Sequence, residues 1–445
     1  MRYWLCMAIV AFFTAFEAMA ESVPVDLNEL ERDIREVLDP LTDQRLIPGY
    51  FLTLHRSGET LLEISEGFAD DELQLVPSKQ TLYSIASMTK PLTALATVKL
   101  FSEGRISLDD PVSKYLPQFS NPLVAFGGSY DSQLEAARSP MLVKHLLTHT
   151  SGLTYSTDIT GVGDVAQAYK DLKILSLDSN VQTELATLEA HVNQLAELPL
   201  VSQPGDEFNY SVSYDLLSAI IENVVEEPFD EFMAREIFEP LGMRNSFFLI
   251  PEEKLGNLST LYAPLIRTFQ IPGTPKMYQK SNLLPKTMKN FGLQLTFASG
   301  GTSLVTTAED YQKFLYFLMG SGAELKISQD YLDLVLQDQT ASDYGYSMMT
   351  KSLGRQADQM SMSYGLGIRY EEQPDGKLAY DYHFWSGAFN TAFWFDVETG
   401  VSGVFMTQLF PTRYTVTSKL DSVVDQHIGK SVSYTHLTLP TTSRV

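Results

Sequence analysis

A serine placed three residues before a lysine can act as a nucleophile that carries its own base. Ser87-Met88-Thr89-Lys90 has that spacing. Residues three apart share one face of a helix, so the Lys90 amine can reach the Ser87 hydroxyl. The run that follows (Leu92, Ala94, Leu95, Ala96, Val98, Leu100) is apolar nearly all round. This predicts a buried helix from Met88 to Ser102, ended by Gly104, with Pro91 tolerated in its first turn. Burial and the positive end of the helix dipole both disfavour an ammonium and favour the neutral amine that a general base must be. Alone the tetrapeptide is weak, because about one match is expected by chance in a chain with this serine and lysine content.

Two further phrases could complete the chemistry. Tyr210-Ser211-Val212 lies at a turn just before an amphipathic helix read as Tyr214 to Val225. A tyrosine there is ordinarily a half-buried aromatic, but beside a Ser-Lys pair its phenol can relay the serine proton and later protonate a leaving group. Trp385-Ser386-Gly387 leads into a strand read as Ala388 to Phe395, where a Trp-x-Gly is more often core packing. Other constellations carry less. His145 and His149 have a zinc-chelating spacing, yet Leu146 stands where a zinc protease carries its glutamate, so structural histidines bonded to a loop near the cleft are expected. No G-x-S-x-G nucleophile elbow occurs. Gly300-Gly301 after Ser299 reads as a tight turn, and the lone strand histidine His383 as structural. Neither a metal nor a cofactor is expected.

The elements that must hold these residues can be sketched from periodicity. Leu27, Leu30, Ile34, Val37, Leu38 and Leu41 predict an amphipathic N-terminal helix. Gly49 to His55 and Thr60 to Gly67, joined by Arg56-Ser57-Gly58-Glu59, predict a β-hairpin. The middle third reads as helical at Met141 to Thr148, Tyr214 to Val225 and Phe229 to Glu239. After about residue 290 the texture turns to short β runs: Gly365 to Tyr370, Lys377 to Phe384, Ala388 to Phe395 and Val401 to Gln408. A closing helix from about Val416 to Ile428 follows. Strands at both ends of a helical middle imply an α/β (α+β) fold: one antiparallel sheet built from both chain ends, flanking helices and an inserted all-helical lobe. One catalytic domain over 21–430 is expected, with the sheet lobe at about 21–85 and 290–430 and the helical lobe at about 86–289. A cleft between the lobes is the default place for a site.

Composition narrows the partners. The 445 residues carry 32 Lys+Arg against 55 Asp+Glu, a net charge of −23, so nucleic acid and anionic lipid surfaces are poor partners; it is the motifs, not the charge, that make a small-molecule substrate the expectation. Residues 1–20 read as a signal peptide: Arg2, an apolar run from Tyr3 to Phe16, then Ala18-Met19-Ala20. Cleavage there would remove Cys6, the only cysteine, and place a cysteine-free protein in the periplasm or outside the cell without stable membrane insertion. Val432 to Thr441 resembles the translation of a sequencing-library adapter, so 431–445, with His436, is set aside as a non-native tail.

The three motifs in this order, with the phrases around them, resemble the serine β-lactamase superfamily, and within it class C β-lactamases and family VIII carboxylesterases. Leu108-Asp109-Asp110-Pro111-Val112-Ser113-Lys114-Tyr115-Leu116-Pro117, His145-Leu146-Leu147-Thr148-His149-Thr150-Ser151-Gly152-Leu153 and Pro240-Leu241-Gly242-Met243 look like its signatures. The resemblance covers about 27–429 and implies the β-lactamase/transpeptidase-like fold. It makes Ser87 the acylated nucleophile, Lys90 and Tyr210 its general base and acid, and the backbone N–H groups of Ser87 and Ala388 an oxyanion hole. Which of Lys90 and Tyr210 takes the first proton stays open. Two departures matter. Val212 replaces the asparagine of the class C Tyr-x-Asn motif, and Trp385-Ser386 replaces the Lys-Thr of Lys-Thr-Gly. Trp385, Gly387 and Val212 are thus expected at the substrate, and without a cation to meet a β-lactam carboxylate, neutral esters are the expected substrates. The alternatives are a β-lactamase or D-amino-acid peptidase acting on cell-wall peptides, a non-catalytic peptidoglycan-binding homologue, or transfer of the acyl group to an alcohol.

Overall fold

The computed structural model describes residues 25–125, 134–157, 161, 163–174, 187–264, 278–281, 297–321, 325–339, 360–411 and 417–428. The expected leader and tail lie outside these residues. Helix α1 (Leu27–Asp43) starts where the Asp26 carboxylate accepts the backbone N–H groups of Asn28 and Glu29, and it buries Leu30, Ile34 and Leu38, the stripe read from the sequence. Strands β1 (Gly49–Arg56) and β2 (Glu59–Gly67) form the expected hairpin. Its turn is Ser57-Gly58, both at positive φ (48° and 89°), the twist that a two-residue hairpin loop favours.

The C-terminal part supplies β3 (Met360–Met362), β4 (Gly367–Glu372), β5 (Leu378–Gly387), β6 (Thr391–Phe395) and β7 (Val401–Met406). Together these make one seven-stranded sheet in the order β2-β1-β7-β6-β5-β4-β3, with every neighbouring pair antiparallel. The β1–β7 pairing (Phe51 opposite Met406 through Arg56 opposite Val401) joins the two ends of the chain, as expected.

Between the halves of the sheet lie α2 (Thr89–Ser102), α3 (Val143–Leu147), α4 (Asp164–Asp171), α5 (Leu188–Ala196), α6 (Ser213–Val225), α7 (Phe229–Met233) and α8 (Glu239–Leu241). The helix read over Phe229 to Glu239 is interrupted by a π-helical turn at Ala234–Phe238. The middle region is not purely helical, because Leu123–Ala125 pairs with Leu134–Ala136 and Tyr262–Pro264 with Tyr278–Lys280. Two helices fall in the stretch read as β-rich, α9 (Ala308–Leu318) and α10 (Gln329–Leu336). The Thr307 hydroxyl caps α9 through the Asp310 N–H, a start signal the β reading passed over. The chain closes with α11 (Thr417–Ile428), which packs against α1. No helix among the described residues is long and apolar enough to cross a membrane.

Register and alternation decide what each sheet face meets. Trp385, Phe393 and Val404 are consecutive cross-strand partners on β5, β6 and β7, so their side chains share a face. On that face Phe393 packs at 5.0 Å against Tyr311 of α9, while the opposite face carries Tyr50, stacked on Phe405 and donating its hydroxyl to Asp39 of α1. The face bearing Trp385 therefore looks toward the helical region.

Candidate active site

Ser87 occupies a one-turn 3₁₀ segment (Ala86–Met88) leading into α2, so the regular helix begins one residue later than expected. Ala86 has φ 44°, a left-handed conformation that costs a residue with a Cβ, and the surroundings hold it there. The Ala86 carbonyl accepts the Thr89 hydroxyl (2.7 Å), the Met88 carbonyl accepts the Tyr311 hydroxyl (2.9 Å), and the Ile85 N–H donates to Leu304 O (3.1 Å). The turn that carries Ser87 is thus fixed from α9 and from the segment at Leu304.

Helix α2 buries every residue from Thr89 to Leu100, as the apolar run requires. Lys90 is fully buried, and its Nζ donates to Ser87 Oγ at 3.2 Å and to the Gly301 carbonyl at 2.9 Å. Three rings surround the same nitrogen: Tyr210 at 4.8 Å, Tyr155 at 5.6 Å and Tyr214 at 5.8 Å from the ring centroids. Ser87 is half-buried, so its hydroxyl stands between a dry lysine and the outside.

Tyr210 precedes α6 on a segment tied to the irregular stretch after α3. Asn209 N–H donates to His149 O (2.7 Å), and Val212 N–H to Thr154 O (3.4 Å). The half-buried Tyr210 ring lies 4.6 Å from the His149 ring, 5.3 Å from Tyr155 and 5.9 Å from Trp385, so the helical region and the sheet meet at this tyrosine. Burial, and then the nearby Lys90 charge, push His149 well below the ordinary histidine range. Burial and repulsion from Tyr210 push Tyr155 and Tyr214 well above the usual phenol range. All three are therefore neutral near pH 7.

The remaining expected residues fall as follows. Trp385, at the end of β5, is 5 % exposed, with its indole N–H buried and unpaired. Gly387 is packed on protein rather than open to a ligand: a Cβ there would lie 2.2 Å from the Ile85 carbonyl oxygen and 2.4 Å from Thr391 Oγ1. The next residue, Ala388, is exposed and lies in the turn between β5 and β6, not on a strand as the sequence suggested. Val212 is 1 % exposed, a core residue at the start of α6. The expected structural roles of the histidines agree with their contacts. His145 Nδ1 accepts the Leu142 N–H (3.2 Å), His149 Nδ1 meets Ser211 Oγ (3.2 Å), and His383 lies between the Tyr380 hydroxyl (2.9 Å) and Leu336 O (2.7 Å).

Three buried polar residues that no motif singled out stand behind Lys90: His191, Asp215 and Ser299. The hints in the sequence are Asp215, an acidic residue in a mostly apolar stretch of α6 five residues after Tyr210, and the tight turn read at Ser299-Gly300-Gly301.

Comparison with known proteins finds similarity along most of the chain. The family model described as Beta-lactamase matches residues 34–425. A Mycobacterium tuberculosis (strain H37Rv) protein, Protein Rv1367c, is 30 % identical over 305 residues, covering 67 % of this chain and 68 % of its own. Esterase EstB of Burkholderia gladioli is 31 % identical over 229 residues, 51 % of this chain and 54 % of its own. Among solved structures, that of EstCE1, described as a hydrolase with promiscuous acyltransferase activity, superposes with a TM-score of 0.70 at 23 % identity, covering 89 % of this chain and 99 % of its own. The chain belongs to the Beta-lactamase family and has the fold of its hydrolases.

Proposed function

We propose that the protein is a serine hydrolase that cleaves carboxylic esters through an acyl-enzyme on Ser87. The observation that carries this reading is the 3.2 Å contact between Ser87 Oγ and a fully buried Lys90 Nζ. In this reading Lys90 Nζ takes the Ser87 proton while Oγ bonds to the ester carbonyl carbon. The carbonyl oxygen becomes an oxyanion, for which the backbone N–H groups of Ser87 and Ala388 are the donors. Collapse expels the alkoxide, which takes a proton from the Lys90–Tyr210 pair. Water then attacks the acyl carbon, passing a proton to the Lys90–Tyr210 pair; the Oγ–acyl bond breaks, Oγ takes that proton back as the Ser87 hydroxyl, and the carboxylic acid leaves.

The half-buried Tyr210 ring, backed by the buried rings of Tyr155 and Trp385, favours a neutral acyl group over a carboxylate-bearing β-lactam. The name of Esterase EstB, a relative over half the chain, supports the same substrate class. We further read the protein as exported, on the leader-like residues 1–20. N-terminal sequencing of the natively expressed protein, expected to begin at Glu21, checks this.

The substrate test compares p-nitrophenyl butyrate with a chromogenic cephalosporin, wild type beside Ser87→Ala. Ester turnover lost in Ser87→Ala, with slow or no cephalosporin turnover, is expected. Rapid cephalosporin turnover with negligible ester hydrolysis overturns the ester reading in favour of a β-lactamase. Ester hydrolysis surviving in Ser87→Ala overturns the nucleophile.

A further inference from the structure

Lys90 depends on the Gly301 carbonyl, so whatever fixes Gly301 fixes the base. The turn Ser299-Gly300-Gly301 is wedged between α2 and α6. Gly300 O accepts the Thr93 hydroxyl of α2 (2.8 Å), and Gly300 N–H donates to Ser218 Oγ of α6 (2.8 Å). A Cβ on Gly300 would fall 2.2 Å from Ser218 Oγ, so the approach needs glycine. Ser299 is the hinge of the turn. Its Oγ donates to Asp215 Oδ1 at 2.5 Å and accepts both the Gly301 N–H and the Thr302 hydroxyl at 3.1 Å. The other Asp215 oxygen, Oδ2, accepts from His191 Nε2 of α5 at 3.0 Å.

His191 and Asp215 are each 1 % exposed and Ser299 is fully buried. Sealing a carboxylate this deeply is costly unless its oxygens are paired, and here each has a donor. A Ser, His and Asp joined by hydrogen bonds suggest a second nucleophile, but the order forbids it. The hydroxyl and the imidazole both bond to the carboxylate, so the imidazole does not face Ser299 Oγ as a triad requires, and no substrate can reach a sealed serine.

We propose that His191, Asp215 and Ser299 are positioning residues for Lys90, acting through the Gly301 carbonyl. In this arrangement His191 orients the carboxylate, the carboxylate locks the Ser299 rotamer, and Ser299 anchors Gly301 so that its carbonyl holds the amine 3.2 Å from the nucleophile. The inference rests on the Ser87–Lys90 reading of the reaction, and its test is arranged so that the two can fail separately.

Ser299→Ala, Asp215→Asn, His191→Gln and His191→Phe are compared with wild type and with Ser87→Ala. The readouts are kcat and KM for p-nitrophenyl butyrate, the rate of covalent labelling by a p-nitrophenyl phosphonate, and circular dichroism. Ser299→Ala removes one buried hydroxyl and leaves the turn glycines in place. It is expected to lower kcat and the labelling rate together, by about ten- to a hundredfold, with KM within about twofold. His191→Gln, which keeps a donor, is expected to retain several times more activity than His191→Phe, a rescue that mere packing would not produce. Folded Ser299→Ala and His191→Phe proteins that label at the wild-type rate would overturn the positioning role. Activity retained by Ser87→Ala would instead overturn the reaction on which it rests.

Discussion

Gly387→Ala turns the meeting of the sheet with the Ser87 turn into a measurement. The added methyl would lie 2.2 Å from the Ile85 carbonyl oxygen, 3.0 Å from its carbon and 2.4 Å from Thr391 Oγ1. Relief needs a separation of at least about 3.2 Å, a shift of about 1 Å. Ile85 cannot supply it cheaply, because its N–H is bonded to Leu304 O and its carbonyl accepts the Met88 N–H, both at 3.1 Å. The end of β5 must therefore move, taking the Ala388 N–H away from the carbonyl oxygen it is proposed to stabilise. A misplacement of about 1 Å costs about a hundredfold in rate, or about 2.7 kcal/mol of transition-state stabilisation. Overpacking adds about 1–3 kcal/mol of lost stability. The assay is kcat for p-nitrophenyl butyrate together with a thermal melt, with Gly256→Ala as control, since a Cβ at Gly256 meets nothing within 4 Å. Gly387→Ala folded and turning over within about twofold of wild type would refute the claim that this approach sets the oxyanion geometry.

Lys90→Met keeps the length of the side chain and removes the base; kcat should fall by about 10²–10⁴, while the melting temperature holds or rises because no amine needs burying. His383 has a pH signature of its own. Burial lowers it from 6.5 to about 4, so the folded protein resists a proton that the unfolded chain accepts. Its share of stability is complete above about pH 6.5 and is lost as pH falls toward 4, up to about 3 kcal/mol. Melts between pH 7.5 and 4.5 should therefore fall less steeply in His383→Gln than in wild type. Trp385→Lys restores a cation to the third motif and should lower kcat/KM for the butyrate ester by at least about tenfold, measured against the same enzyme's turnover of a cephalosporin.

What could be read from the chain follows how locally each feature is determined. The stripe Leu30, Ile34, Leu38 and the all-apolar run after Lys90 depend on period alone, and both helices form where the pattern places them. Ser87 and Lys90 were legible because their contact spans only three positions, from the 3₁₀ turn into the first turn of α2. The turn at Ala388 was not. Asn390, at φ 69°, closes the β5–β6 connection, yet Gly387-Ala388-Phe389-Asn390 lacks the paired turn residues that mark a hairpin. Helix α9 was hidden for another reason: its buried face mixes Asp310 and Gln312 with Tyr311, Phe314 and Leu315, blurring the apolar period. The network behind Lys90 was beyond local reading, because Ser299 and Asp215 stand 84 positions apart and only the packed fold brings them together. Val212 shows the reverse difficulty. Its place in a motif suggested the substrate, while its position at the start of α6 puts it in the core.

The central claim, that Ser87 is acylated, is tested most directly by mass spectrometry of enzyme quenched in acid during turnover of p-nitrophenyl butyrate. A mass gain of one butyryl group, carried on the peptide containing Ser87 and absent from Ser87→Ala, is the predicted result. A butyryl group on any other residue, or continued turnover by Ser87→Ala, would contradict it.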